Sequence, residues 1–196
     1  MLSKLLVSCV ILLTSLSSVL ADSKGVEFVG QDPLGPALDV YVADEYTYLA
    51  AGGVLVILDI SIPSKPKQLA WLDMFGLVGS MWADNQYAYV MGDKGLHILD
   101  VSSMNNIQQL GFCEVSGLGS DIKVSGNYAY VCCSDKGFRV IDISNPAKPH
   151  EAGFCDIRPI EHEMGISGNY AYVTNNWGVT VVDISDPQNP VKAVIR

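Results

Sequence analysis

Hydrophobic and polar residues alternate along short segments of this chain, and turn-forming residues separate the segments. The alternating run DIKVS (Asp121–Ser125) leads through a two-residue hairpin turn, Gly126-Asn127, into YAYVCC (Tyr128–Cys133). The runs FRVIDI (Phe138–Ile143) and HEAGFCDI (His150–Ile157) follow after turns that contain glycine or proline. This pattern predicts four short antiparallel β-strands. No segment after residue 21 shows the 3.6-residue period of an amphipathic helix.

The same pattern recurs four times along the chain. SGNYAYV occurs at Ser125–Val131 and at Ser167–Val173, with looser copies at Asp84–Val90 and Ala43–Leu49. The second tyrosine of each copy, called here the marker tyrosine, recurs at steps of 41, 41 and 42 residues: Tyr48, Tyr89, Tyr130 and Tyr172. A series of aspartates recurs at steps of 41, 42 and 41: Asp59, Asp100, Asp142 and Asp183. Two series in register identify a structural repeat.

The third strand of each repeat is apolar on both faces, as in VLVILDI, LHILDV, FRVIDI and VTVVDI. A strand buried on both faces needs another sheet on each side. Four antiparallel strands in about 40 residues is also the length of one propeller blade. The sequence therefore predicts an all-β protein, a β-propeller of four-stranded antiparallel blades with about four blades present. In each blade we expect the marker tyrosine to fill the space between blades.

The third strands carry a family resemblance. LVILD (Leu55–Asp59), with LHILD, FRVID and VTVVD as cognates, resembles the LVIVD repeat, as do the following DISNPAKP and DISDPQNP. The resemblance runs from about Ala37 to Arg196. It implies a β-propeller of exported or cell-surface proteins in bacteria or archaea, and it implies no established activity. The second repeat departs from the pattern, because DVSSMNNIQQ (Asp100–Gln109) lacks both prolines, and this puts the conformation of that loop in question.

The first residues have the pattern of a cleaved signal peptide. Lys4 precedes the apolar run Leu5–Leu20, and small residues precede Asp22. The alternative is a membrane anchor, but the run is shorter than the roughly 18–20 residues that a spanning helix needs. We expect residues 1–21 to be removed and the protein to be periplasmic, extracellular or on the cell surface, with no further membrane span.

The segment 22–36 contains a spare strand, VEFVGQ (Val26–Gln31), before repeats at about 37–78, 79–119, 120–161 and 162–196. Four blades and a spare strand are compatible with a piece of a longer propeller, a tightly closed four-blade ring, or a ring shared by two chains. We expect an incomplete or open arc. The unpaired edges of such an arc favour self-association.

Charge and cysteine content restrict the partners and the covalent chemistry. The net charge of −9 and the absence of a basic cluster argue against nucleic-acid binding. Four cysteines follow the signal segment: Cys113, Cys132, Cys133 and Cys155. An oxidising compartment permits disulfides, and four cysteines can form two disulfides in three different ways. Neighbouring residues on a strand point to opposite faces, so Cys132 and Cys133 do not pair with each other. Buried thiols are the other interpretation.

One set of polar residues converges in the predicted fold. Asp39, Asp121 and Glu163 each precede a marker tyrosine by nine residues, and Ser80 takes the same place in the second repeat. Residues at the same offset in equivalent blades lie on one ring of positions, which we expect near the mouth of the central channel. We therefore predict a ligand site of Asp39, Asp121, Glu163 and the neighbouring His162. Three carboxylates favour calcium over zinc if a metal is bound. The other interpretation is that each carboxylate accepts backbone N–H groups of the adjacent blade.

Two functions are compatible with these residues. The first is a non-enzymatic binding or scaffold module, whose broad surface and loops recognise a protein or a surface glycan. The alternative is an enzyme, a metal-dependent hydrolase or lactonase with its site at the channel mouth. The chain has no Gly-x-Ser-x-Gly elbow and no phosphate-binding glycine loop. We assign no catalytic residue and predict the binding module. The aspartates that end the third strands are predicted to bond turn amides.

Overall fold

The computed structural model describes residues 37–74, 76–115, 117, 119–134, 136–157, 163–175 and 178–193. The predicted signal peptide (1–21), the spare strand Val26–Gln31 and the candidate ligand His162 lie outside these residues. The described residues form sixteen β-strands and no helix, so none of them belongs to a helix that could cross a membrane. The all-β prediction is confirmed.

The strands form four separate antiparallel sheets of four strands in sequence order, each of which is one blade. Blade 1 consists of β1 (Asp39–Ala43), β2 (Tyr46–Ala51), β3 (Val54–Asp59) and β4 (Lys67–Asp73). Blade 2 consists of β5 (Val78–Ala83), β6 (Tyr87–Gly92), β7 (Gly95–Asp100) and β8 (Gln108–Glu114). Blade 3 consists of β9 (Gly119–Ser125), β10 (Tyr128–Cys133), β11 (Gly137–Asp142) and β12 (His150–Cys155). Blade 4 consists of β13 (Met164–Ser167), β14 (Tyr170–Asn175), β15 (Gly178–Asp183) and β16 (Val191–Lys192).

The hairpin between the first two strands of a blade takes the predicted form in blades 3 and 4. Ser125 pairs with Tyr128, so Gly126-Asn127 is a two-residue turn, and Gly126 has a φ of 58°. Gly168 has a φ of 56° in the matching turn of blade 4. Glycine adopts this left-handed conformation without a steric penalty, which explains the repeated Gly-Asn.

The blades pack face to face in chain order, and their first strands lie innermost, because β1 packs against β5, β5 against β9, and β9 against β13. Three clusters fill the three junctions. Marker tyrosines enter them from one side, with Tyr48 1%, Tyr89 4% and Tyr130 4% exposed. Alanine and valine of the following blade meet them, as Ala88 and Val90 do opposite Tyr48. The expected role of the tyrosine between blades is therefore confirmed in three of the four repeats.

The third strand is buried on both faces in blade 1, where Leu55, Val56, Ile57 and Leu58 are all at most 4% exposed. Blade 4 differs. Val179 in β15 is 56% exposed, because none of the described blades packs on that face. The prediction of a doubly buried third strand is wrong for this blade, and the arc of blades is open there.

The loop that lacks prolines has the same conformation as its three counterparts. In each repeat the backbone N–H six residues after the strand-ending aspartate donates to the carbonyl three residues earlier. These bonds run from Lys65 to Ile62, from Asn106 to Ser103, from Lys148 to Asn145, and from Asn189 to Asp186, at 2.8–3.0 Å. The turn therefore forms without proline.

Candidate functional site

The four predicted ring positions are structurally equivalent. Asp39 pairs with Ala50, Ser80 with Met91 and Asp121 with Cys132, each two residues after the marker tyrosine of its blade. The Glu163 carbonyl accepts the N–H of Thr174, which holds the same place in blade 4. All four residues thus lie at the start of the innermost strands, as the sequence offset predicts.

The innermost strands enclose a cavity of about 700 Å³. Asp39, Asp121 and Glu163 all line it, so the structure brings the three predicted carboxylates to one cavity. Ser80 is not among the lining residues. It is 3% exposed, and its hydroxyl has no hydrogen-bond partner among the residues that the structure describes.

Two of the carboxylates join neighbouring blades. Asp39 accepts the N–H of Val40 at 2.7 Å through Oδ1 and the N–H of Met81 in blade 2 at 2.9 Å through Oδ2. Asp121 accepts the N–H of Ile122 at 2.8 Å and the N–H of Met164 in blade 4 at 2.6 Å. The backbone hydrogen bonds to the adjacent blade are therefore present in this structure. Ser80 is too short to make the equivalent bond between blades 2 and 3.

Lys123 adds a positive charge that sequence reasoning missed. Its Nζ donates to both Asp121 carboxylate oxygens, at 2.7 and 2.9 Å, and to the Ile122 carbonyl at 3.3 Å. The Asp121 side chain is 13% exposed and the Lys123 side chain is 39% exposed, so solvent reaches this ion pair from the side of the lysine. The three N–H donors of the ammonium are all used within the wall of the cavity.

Aromatic residues form another part of the wall. Tyr41 and Trp82 line the cavity, and their ring centroids are 6.0 Å apart. Tyr41, Trp82 and Lys123 each precede a marker tyrosine by seven residues. This shared offset, seven residues before the marker tyrosine, is the sequence signal from which these three cavity residues could have been predicted.

The environments of the carboxylates differ. Burial raises the pKa of Asp39 above its ordinary value of 3.8, and the nearby charge of Asp121 acts in the same direction, while the N–H groups of Val40 and Met81 oppose the shift. Glu163 is exposed, and its own N–H is bound by the Thr174 hydroxyl at 3.1 Å. Glu163 is therefore the carboxylate of the set that solvent reaches most easily.

No group of three His, Cys, Asp or Glu side chains lies close enough to hold one metal ion within the described ranges. The three carboxylates share a cavity without forming one compact ligand set, and Lys123 already neutralises Asp121. Calcium binding by Asp39, Asp121 and Glu163 stays a prediction.

The strand-ending aspartates make the predicted turn contacts. Each accepts the backbone N–H of the serine two residues later at 2.8–3.0 Å, in the pairs Asp59–Ser61, Asp100–Ser102, Asp142–Ser144 and Asp183–Ser185. The hydroxyl and N–H of that serine lower the pKa of each aspartate. Their structural role is confirmed.

A family model of the LVIVD repeat matches residues 34–69, 76–110, 116–157 and 162–194, one match to each blade. The chain belongs to the LVIVD-repeat family. Within this LVIVD-repeat protein, the matched segments cover β1 to β16 almost completely. No curated protein matches the chain.

Solved structures share the fold of this LVIVD-repeat protein at 14% sequence identity. The computationally designed Ika8 protein has a TM-score of 0.63 over 76% of this chain and 46% of its own. The designed Ika4 protein has a TM-score of 0.62 over 77% of this chain and 92% of its own. A functionally unknown protein from Desulfotomaculum acetoxidans DSM 771 has a TM-score of 0.64 over 82% and 56%. The chain thus spans about half the length of two of these proteins, and the likeness concerns the fold alone.

Proposed function

We propose that this LVIVD-repeat protein is an exported, non-enzymatic binding module that holds a positively charged segment of a partner protein in its central cavity. Export is inferred from the Lys4-initiated apolar run and the small residues before Asp22. Binding is inferred from the cavity.

The observation that carries the proposal is the chemistry of the cavity wall. Three carboxylates, Asp39, Asp121 and Glu163, and one ammonium, Lys123, line the cavity, which gives a formal excess of two negative charges. A cavity with a net negative charge concentrates cations. The aromatic rings of Tyr41 and Trp82 provide a surface that attracts a cation through its π-electrons.

These features fit a lysine or arginine side chain of a partner better than an acidic or neutral one. The aliphatic stem of such a side chain would lie against Trp82 and Tyr41, and its charged end would reach Glu163, the exposed carboxylate. Asp39 and Asp121 already accept backbone N–H groups, so their contribution is the electrostatic field.

A pair of short peptides tests the proposal. We expect the blocked peptide Gly-Lys-Gly to bind in calorimetric titration and its norleucine analogue, which lacks the charge, to bind at least about tenfold more weakly. Trp82→Ala and Glu163→Gln should each weaken binding of the lysine peptide. Trp71→Ala is the matched control, because Trp71 is 54% exposed on the outermost strand β4.

Three results would contradict the proposal: equal binding of the two peptides, no binding at millimolar concentration, or equal effects of Trp71→Ala and Trp82→Ala. Binding of neutral oligosaccharides that depends on Trp82 and resists salt would favour a surface glycan instead, since charge attraction weakens as salt rises.

The enzymatic alternative rests on the three carboxylates that share the cavity. Asp39 and Asp121 are engaged by N–H groups on both carboxylate oxygens, which suits a structural role better than proton transfer. Metal analysis of the purified protein, with a lactone hydrolysis assay of the same preparation, separates the two functions. A stoichiometric metal with hydrolysis lost in Glu163→Gln would support the enzyme.

A further inference from the structure

Two sulfur atoms meet in the junction between blades 3 and 4. The Sγ of Cys132 in β10 lies 4.0 Å from the Sδ of Met164 in β13. Cys132 is 0% exposed and Met164 is 4% exposed, and both belong to the apolar cluster that fills this junction. The two residues are 32 positions apart in the sequence, so the packing of blade 3 on blade 4 brings them together.

The repeat shows that this pair is specific to one junction. Cys132 lies two residues after the marker tyrosine of blade 3, and Met164 directly follows the ring position of blade 4. The equivalent pairs are Ala50 with Met81 in the first junction and Met91 with Ile122 in the second. Of the three junctions that the structure describes, the one between blades 3 and 4 is alone in combining a thiol with a thioether at these positions.

The separation of the two sulfur atoms fits two ligands of one metal ion. The bond between a metal and a thiolate sulfur is about 2.3 Å long. With bonds of that length, sulfur atoms 4.0 Å apart bind one ion at an angle of about 120°. This is the angle of trigonal coordination, in which the ion keeps one further position for a third ligand.

The sulfur pair lies beside the cavity. Met164 lines the cavity, and its backbone N–H donates to the Asp121 carboxylate at 2.6 Å. Asp121 is also the residue opposite Cys132 in the β9–β10 ladder. The net negative charge of the cavity wall concentrates cations there. Because the methionine side chain is unbranched and flexible, it can turn to admit an ion from the cavity to both sulfur atoms.

We propose that Cys132 and Met164 bind a copper(I) ion between blades 3 and 4. Thiolate and thioether are soft ligands of the kind that select Cu(I), whereas a structural zinc site takes four ligands. On binding, the thiol releases its proton to solvent and the sulfur bonds to the metal, which stays Cu(I). The site is separate from the predicted calcium site, whose ligands are carboxylate oxygens, and it does not depend on the proposed function.

Competition for Cu(I) with the chromophoric chelator bicinchoninate, carried out under nitrogen, tests the site. We expect the wild-type chain to retain one equivalent of Cu(I). Cys132→Ser and Met164→Leu should each weaken binding at least about tenfold, a loss seen even when a residue behind a metal ligand is changed. Met164→Leu conserves the volume and the apolar character of the side chain, so the fold tolerates it.

Two matched variants separate loss of a ligand from an effect on packing. Cys133→Ser removes the neighbouring buried thiol, which lies in the junction between blades 2 and 3. Met81→Leu removes the thioether at the equivalent position of blade 2. Neither should change the affinity for Cu(I). A wild-type chain that retains no Cu(I), unchanged affinity in Met164→Leu, or equal losses in Cys132→Ser and Cys133→Ser would each overturn the proposal.

Discussion

The Asp39 carboxylate of blade 1 accepts the backbone N–H of Met81 in blade 2 at 2.9 Å, across two sheets that share no strand. Asp121 repeats the contact with Met164 of blade 4 at 2.6 Å. The innermost strands are thus joined by side chain to backbone hydrogen bonds at two of the three junctions, in addition to apolar packing.

Removal of one such bond should lower stability. Asp39→Ala leaves the N–H of Met81, a buried residue, without its acceptor, so we expect a loss of about 1–3 kcal/mol in the free energy of unfolding. Urea denaturation measures it. Ser80→Ala is the matched control and should cost almost nothing, because the hydroxyl it removes has no partner in the described structure. Equal losses in the two variants would contradict the role of Asp39.

Calcium binding makes a separate prediction. If Asp39, Asp121 and Glu163 hold the ion, calcium raises the melting temperature by binding preferentially to the folded state, and Asp121→Asn reduces the increase. The measurement is a thermal melt with calcium and with chelator. A melting temperature that both leave unchanged would remove the metal hypothesis and leave the interblade hydrogen bonds as the role of these carboxylates.

The turn aspartates predict a loss of stability in acid. The Ser102 hydroxyl, at 2.6 Å, and its N–H, at 3.0 Å, hold the pKa of Asp100 below its ordinary value of 3.8. A group with a lowered folded-state pKa stabilises the fold above the unfolded value and loses that contribution as pH falls through the folded value. Asp100→Asn should therefore cost more at pH 7 than at pH 2.5, as urea denaturation at the two pH values would show. In a titration followed by NMR, Ser102→Ala should move the pKa of Asp100 upward, and an unchanged pKa would argue against this cause.

The cysteines should react slowly in the native protein. Cys113, Cys132, Cys133 and Cys155 carry buried thiols, and burial raises the pKa of Cys113, Cys132 and Cys155. Cys132 and Cys133 lie in two different junctions, as their neighbouring positions on a strand predict. Because the thiolate is the reactive form, we expect slow modification by Ellman's reagent in buffer and fast modification in guanidinium chloride. A disulfide-linked species on a non-reducing gel would contradict this state.

The repeat made the blades predictable, since regular spacing of tyrosine and aspartate markers fixes strand order and register. The position of Asp39 and Asp121 followed from equal offsets, but their hydrogen-bond partners did not. The Met81 N–H belongs to another blade, 42 residues away, and the angle between blades decides whether a carboxylate reaches it. Lys123 was missed because one lysine among apolar neighbours has the pattern of a surface residue until Asp121 is found beside it.

The exposed blade 4 was not predictable from its own residues. Its strands repeat the sequence of blade 3 closely, and a repeated sequence predicts a repeated environment. Blade 4 differs because none of the described blades packs on one of its faces. The residue pattern within a strand does not predict whether another blade packs on it. The substitution of Gly165 for the bulky residues of the other blades was the visible difference.

The succession of blades also determines how the molecule opens. Since each blade packs on its immediate neighbours, local unfolding free energies are set by how many junctions a blade shares. Blades 2 and 3 share two, and blades 1 and 4 share one each among the described residues. Amide hydrogens should therefore exchange faster at the two ends of the arc than in its middle. The terminal blades are then also where a protease first gains access to the backbone.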